Sequence, residues 1–140
     1  MNNKVMEVTV RCAEPLEVGE TPKGYLRVIP IIGGTFEGPR LKGKVIPGGA
    51  DWNMTREDGV AEVFAKYTIE TDDGVLISVT NEGTIKPNGE RIITKPTFLV
   101  AIGKYDWLND EIFIGTLDPL PTSEGIVVKL SFYHGGAVLE

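Results

Sequence analysis

From Val60 to Ile85 the chain alternates with a period of two, broken midway by Asp72-Asp73-Gly74. In the first half Ala61, Val63, Ala65, Tyr67 and Ile69 fall on one face, and Glu62, Phe64, Lys66, Thr68 and Glu70 on the other. In the second half Val75, Ile77, Val79 and Asn81 oppose Leu76, Ser78, Thr80 and Glu82. A helix would spread this pattern around all its sides, whereas a strand sends alternate side chains to opposite faces of a sheet. The segment therefore reads as an antiparallel hairpin with one buried face. A three-residue loop sets Thr71 opposite Val75, Ile69 opposite Ile77, Tyr67 opposite Val79 and Ala65 opposite Asn81, so apolar residues meet apolar ones. A two-residue loop would slip the register by one and turn one apolar set to the wrong side. The longer loop also puts Gly74 where a left-handed residue is required. On this register Tyr67 and Asn81 are diagonal neighbours on the inward face.

The rest of the chain repeats the theme. Lys4 to Cys12 alternates as a first strand, ended by Glu14 and Pro15 and a polar stretch to Lys23; Tyr25 to Ile32 is a second, with Pro30 marking a bulge or weakly paired end. Gly33 to Trp52 holds six of the 17 glycines, a density that fits sharp bends and bulges at a barrel rim, where binding groups tend to sit. Residues 53 to 59 form a polar link with room for one helical turn. Beyond the hairpin, the turn signal Lys86-Pro87-Asn88-Gly89 leads into Arg91 to Thr94, and Thr97 to Gly103 and Glu111 to Leu117 follow as apolar strands. KYDWLND between them reads as a loop, LDPLPTSEG as a proline-stiffened connection, and Gly125 to Tyr133 as the last strand. About eight strands with regular turn signals and no long helix predict an all-β fold, a single antiparallel barrel in one domain. Closure leaves no strand edge open to other chains.

Composition then removes whole classes of function. Fourteen basic against twenty acidic residues give a formal charge of −6, which repels nucleic acid and anionic membranes, and no cluster of basic and aromatic residues offers a local exception. No apolar run is long enough to cross a bilayer as a helix, and the first residues lack a secretory pattern, so a cytoplasmic location is expected. Homo-oligomers stay open. One cysteine and one histidine make a metal site unlooked for, and no cofactor motif is present: Gly33-Gly34 and Gly48-Gly49 fit neither dinucleotide nor phosphate-loop spacing. Cys12 ends the apolar set Met6, Val8, Val10 and reads as a buried structural thiol. His134, beside Gly135, reads as an exposed tail residue.

The stretch IPIIGGTFEGPRLKGKVIPGGADW, with the TDDG turn and the later KYDWLN and IFIG segments, resembles domain-of-unknown-function family 3237, the UPF0311 proteins. The resemblance runs from about Tyr25 to Leu117. It implies a lipocalin-like or allene-oxide-cyclase-like β-barrel with no established activity. RIITKPTF departs from the family pattern, having isoleucines where an aromatic and an arginine are expected.

What remains is a set of carboxylates, amides and aromatics: Glu37, Asp51 and Trp52 in the glycine-rich stretch, Tyr67 and Asn81 on the hairpin, and Tyr105 and Trp107 in the later loop. Polar groups on an apolar barrel wall must find partners or cost about 1–3 kcal/mol each. The bland reading pairs Glu37 with Arg40 and uses Trp52 to fill one end of the core. The leading functional reading is a binding module for a small, largely apolar metabolite, because no pair of catalytic residues is fixed by spacing; the alternative is a cyclase or isomerase using Asp51 or Glu37 as general acid or base with Tyr67 or Asn81 as oxyanion partner. A structural subunit with a filled core is the third. A carboxylate with a raised pKa inside a void would favour the enzyme, and a void lined only by apolar groups the binder.

Overall fold

The computed structural model describes residues 3–123 and 125–135. The strands are β1 (Lys4–Cys12), β2 (Leu16–Thr21), β3 (Gly24–Glu37), β4 (Lys42–Thr55), β5 (Ala61–Thr71), β6 (Leu76–Ile85), β7 (Ile92–Val100), β8 (Phe113–Thr122) and β9 (Gly125–His134), with one helical turn, α1 (Trp107–Asp110), before β8. All pairings are antiparallel and run in sequence order from β3 to β9; β1 then pairs with both β9 and β3, closing an eight-stranded barrel. β2 continues β1 along β3 after a bend at Ala13–Pro15, which explains how nine segments fill eight positions. No helix among the described residues is long and apolar enough to cross a membrane.

The hairpin has the register its loop demands: Ala65 faces Asn81, Tyr67 faces Val79, Thr68 faces Ser78 and Ile69 faces Ile77. Thr71 and Val75 close the loop through a 2.9 Å backbone hydrogen bond, and Gly74 has a φ of 88°. Burial alternates as expected, with Val63, Ala65, Tyr67, Ile69, Ile77, Val79 and Asn81 inward.

The glycine-rich stretch bends both of its strands at one level. The β3–β4 ladder shifts between Pro30 and Gly34, and the β4–β5 ladder between Ile46 and Ala50. Gly34 lets β1 approach: its φ is 145°, and a Cβ there would strike the Thr9 carbonyl oxygen. Such contact with backbone cannot be relieved by a rotamer change.

Several boundaries differ from the sequence reading: β4 continues to Thr55 in the stretch read as a polar link, and the helical turn lies at Trp107–Asp110, in the stretch read as a loop, and not in residues 53 to 59. The polar stretch after Pro15 contains β2, an exposed edge strand whose burial pattern gives no apolar alternation. β7 runs unbroken through Pro96, and β8 through Pro119 and Pro121. β7 and β8 pair with each other only at Ile92–Thr94 and Gly115–Leu117, so these prolines stand where one strand edge has no partner and a missing N–H costs no ladder bond.

The core fills one end of the barrel. Phe132, Met6, Ile69, Ile77, Leu108, Val8 and Val79 are fully buried. Phe98 meets the edges of Phe113 and Phe132 at 5.1 and 5.8 Å between centroids. The β7–β8 connection folds over this end, with Leu108 of α1 and Tyr105 buried against the core.

Candidate functional site

The opposite end is open. A cavity of about 70 Å³ enters the barrel there between apolar walls formed by Val10, Ile29, Ile31, Val63, Ala65, Leu117, Ile126, Val128 and Leu130. Its polar lining is Cys12, Asp51, Tyr67 and Asn81. Strand geometry brings them together. Asp51, Ala65 and Asn81 lie in one cross-strand row, so Asp51 and Asn81 stand two strand spacings apart, about 10 Å. Tyr67 is one inward position further along β5. At the rim an open trough of about 710 Å³, lined by Ala13, Glu14, Pro15, Glu17 and Gly125, shares Cys12 and Ile126 with the cavity.

Asp51 sits at the second gap in the β4–β5 ladder, between its own pairing with Ala65 and that of Met54 with Glu62. There its carboxylate accepts the otherwise free Phe64 N–H at 3.0 Å. Burial pushes the Asp51 carboxyl above its ordinary range, and the Phe64 N–H, Arg27 and Asn53 pull against that without cancelling it. Burial is also the main reason the Cys12 thiol rises to about 11, with the Asp51 charge adding to it; this thiol is a poor nucleophile near neutrality. Tyr67 is displaced upward in the same way, so its hydroxyl keeps its proton.

Two of these polar groups lack protein partners. The Tyr67 hydroxyl and the Asn81 Oδ1 are buried and make no hydrogen bond among the described residues. Tyr67 is 3% exposed and Asn81 1%. The hydroxyl of Thr94, wholly buried on the inward face of β7 between Gly83 and Gly115, is likewise orphaned. Neither its partner deficit nor the place of Cys12 on the cavity wall was foreseen. The sequence signal for Thr94 was faint: one hydroxyl at an inward position of β7, opposite glycines on both neighbours.

The other expected residues are elsewhere. Trp52 does not share the cavity with Asp51: adjacent strand residues point to opposite faces, so with Asp51 inward Trp52 lies on the outer wall, 44% exposed. It lines open outer grooves beside Gly48 and Gly49 and beside Phe64 and Ile93. Glu37 is exposed at the far end of β3, opposite Glu7 and Lys42. Its suggested partner Arg40 instead lies over Trp107, 4.0 Å from the ring centroid.

Tyr105 and Trp107 belong to the closed end. The Tyr105 hydroxyl donates to Asp73 at 2.9 Å, and Thr71 and Lys104 donate to the same carboxylate at 2.6 and 3.1 Å. These three donors hold Asp73 down at about 2 and fasten the β7–β8 connection to the hairpin loop. Trp107 packs against Phe113 and His134. His134 is no tail residue: it ends β9, with Nδ1 2.9 Å from Glu111. No group of three or more metal-ligating side chains occurs among the described residues.

Comparison with known proteins agrees with the barrel. A β-barrel-like protein from Acinetobacter baumannii, solved by crystallography, is 30% identical and covers 96% of this chain and 94% of its own, with a TM-score of 0.83. A UPF0311 protein of Clostridium acetobutylicum is 33% identical over 147 residues, covering 93% of this chain and 90% of that one. A Penicillium herquei protein named a hydroalkoxylation enzyme is 34% identical over 86 residues, 61% of this chain and 53% of its own. The family described as a protein of unknown function, DUF3237, matches residues 3–134, and this chain belongs to it.

Proposed function

We propose that the open end of the barrel binds a small, largely apolar molecule and that Asp51 transfers a proton within it, as in a cyclase or isomerase. The observation that carries this reading is a carboxyl with a raised pKa on the wall of an apolar cavity that is also lined by hydrogen-bonding groups without a partner among the described residues. Desolvated carboxyls that keep a proton nearer to neutrality are suited to general acid–base work. Volume limits how the molecule binds. About 70 Å³ is far below the 300–1,000 Å³ of ordinary ligand pockets, so only a narrow tip enters and the larger part occupies the trough.

The name of the Penicillium herquei relative supports the same chemical class. Adding an alcohol across a carbon–carbon double bond needs one proton given to carbon and one taken from oxygen. Protonated Asp51 would donate to one alkene carbon, the hydroxyl oxygen would bond to the other, and the oxonium proton would return to the Asp51 carboxylate. The balance closes without any further reactant. Tyr67 and Asn81 would orient the polar atom.

The test is deuterium incorporation and ring closure, followed by NMR in heavy water over a panel of small neutral hydroxyalkenes and enols. Wild-type protein should act on at least one, at a rate that falls as pH rises through the Asp51 pKa, and Asp51→Asn should lower that rate by about a hundredfold or more. An Asp51→Asn variant of undiminished rate would refute the proton-transfer role. The second reading, a binding module, is favoured by the predominance of apolar wall residues; it expects ligand binding to survive Asp51→Asn with no turnover in either protein.

A further inference from the structure

We infer that the cavity selects a neutral molecule that leads with a hydroxyl group on a narrow apolar stem. This rests on the reading of the open end as a binding site and adds the chemistry of what binds. Tyr67 and Asn81 fix the polar tip. An amide oxygen only accepts, whereas a phenolic hydroxyl can give or accept. Both are buried without partners, one inward position apart on paired strands. A hydroxyl can donate to Asn81 Oδ1 while accepting from the Tyr67 O–H, so one small group satisfies both. A carboxylate only accepts and leaves Asn81 Oδ1 orphaned; a methyl group satisfies neither.

Charge at the rim selects in the same direction. The trough carries Glu14 and Glu17 and no cation among its lining residues. Among the described residues the one cation acting on Asp51 is Arg27, which stands opposite Glu17 in the β2–β3 register. An anion would therefore cross a rim of unfavourable potential within a chain of formal charge −6, and then shed its water between Ile29, Leu117 and Ile126. The apolar stem follows from those same walls.

Phenol, toluene and benzoate share one ring and differ in the group that leads. Their dissociation constants are measured by NMR titration of the labelled protein, following the amides of Ala65, Tyr67 and Asn81. Phenol should bind about tenfold or more tightly than toluene, the equivalent of one hydrogen bond, and more tightly still than benzoate. Tyr67→Phe and Asn81→Leu should each bring the phenol-to-toluene ratio towards one, with the fold checked in the same spectra. Toluene binding as well as phenol, benzoate binding better, or no probe moving these amides at millimolar concentration would overturn the inference. The two readings fail separately. A lost phenol preference with Asp51-dependent deuterium exchange intact removes only the selectivity, and an intact preference with exchange that survives Asp51→Asn removes only the proton transfer.

Discussion

Replacing Tyr67 by phenylalanine should make the protein more stable, against the usual direction of a core substitution. The residue is 3% exposed and its hydroxyl has no partner among the described residues. A buried, unsatisfied hydroxyl costs about 1–3 kcal/mol relative to its hydrated state in the unfolded chain. Removing it leaves a void of about 10 Å³, the size of one water probe. At about 24 cal/mol per Å³ that void costs only about 0.2 kcal/mol. The net gain is then about 0.8–2.8 kcal/mol, or a rise in Tm of roughly 3–10 °C for a chain of this length. Urea unfolding measures it directly: the midpoint should move up with the slope m unchanged, because the surface exposed on unfolding is the same. If Tyr67→Phe instead lost a kilocalorie or more, the hydroxyl would be satisfied in the folded protein, and its availability to a bound molecule would be refuted. A gain in stability accompanied by loss of phenol selectivity would mark Tyr67 as a residue held for function at the expense of folding.

Two further substitutions probe the frame around the site. Gly34→Ala should destabilise by about 2–4 kcal/mol, since its Cβ meets the Thr9 carbonyl in a positive-φ conformation; thermal unfolding unchanged within about 0.5 kcal/mol would disprove the close approach of β1 to β3. Asp73, held at about 2 in the folded protein against an ordinary value of 3.8, contributes stability above the ordinary value that is lost as pH falls through about 2. Asp73→Asn should flatten that acid limb and speed amide exchange at Asp106, Leu108 and Asn109; equal exchange in both proteins would show that the Asp73 contacts do not hold the closed end.

The hairpin was legible because its information is local. The Asp-Asp-Gly loop and the alternation on either side fix which residues face inward, so Tyr67 and Asn81 could be placed together from the sequence. Trp52 was legible too, had the same period-two rule been carried from Asp51 to its neighbour. The separation of Tyr105 and Trp107 from Asp51 was not, because it depends on which end of the barrel each connection covers once the sheet has closed. β2 and the proline-bearing ends of β7 and β8 were hidden for a related reason. Edge positions need neither an apolar face nor every N–H, so sequence patterns that mark central strands are silent there. Cys12 ends an apolar set and packs against the core as expected, but at the rim an inward position also borders the cavity.

The pairing of β1 with both β3 and β9 sets the order in which the protein can be made. β3 to β9 can form as a meander of neighbouring hairpins, each paid for by a short loop, whereas the seam between Val10 and Val128 joins residues more than a hundred positions apart. Until β9 has been synthesised, the apolar residues Met6, Val8 and Val10 have only half of their final neighbours, and β8 has an uncovered edge. The nascent chain therefore carries two unsatisfied edges for most of its synthesis, and seam formation should be the slow step that ends its exposure to aggregation and to chaperones.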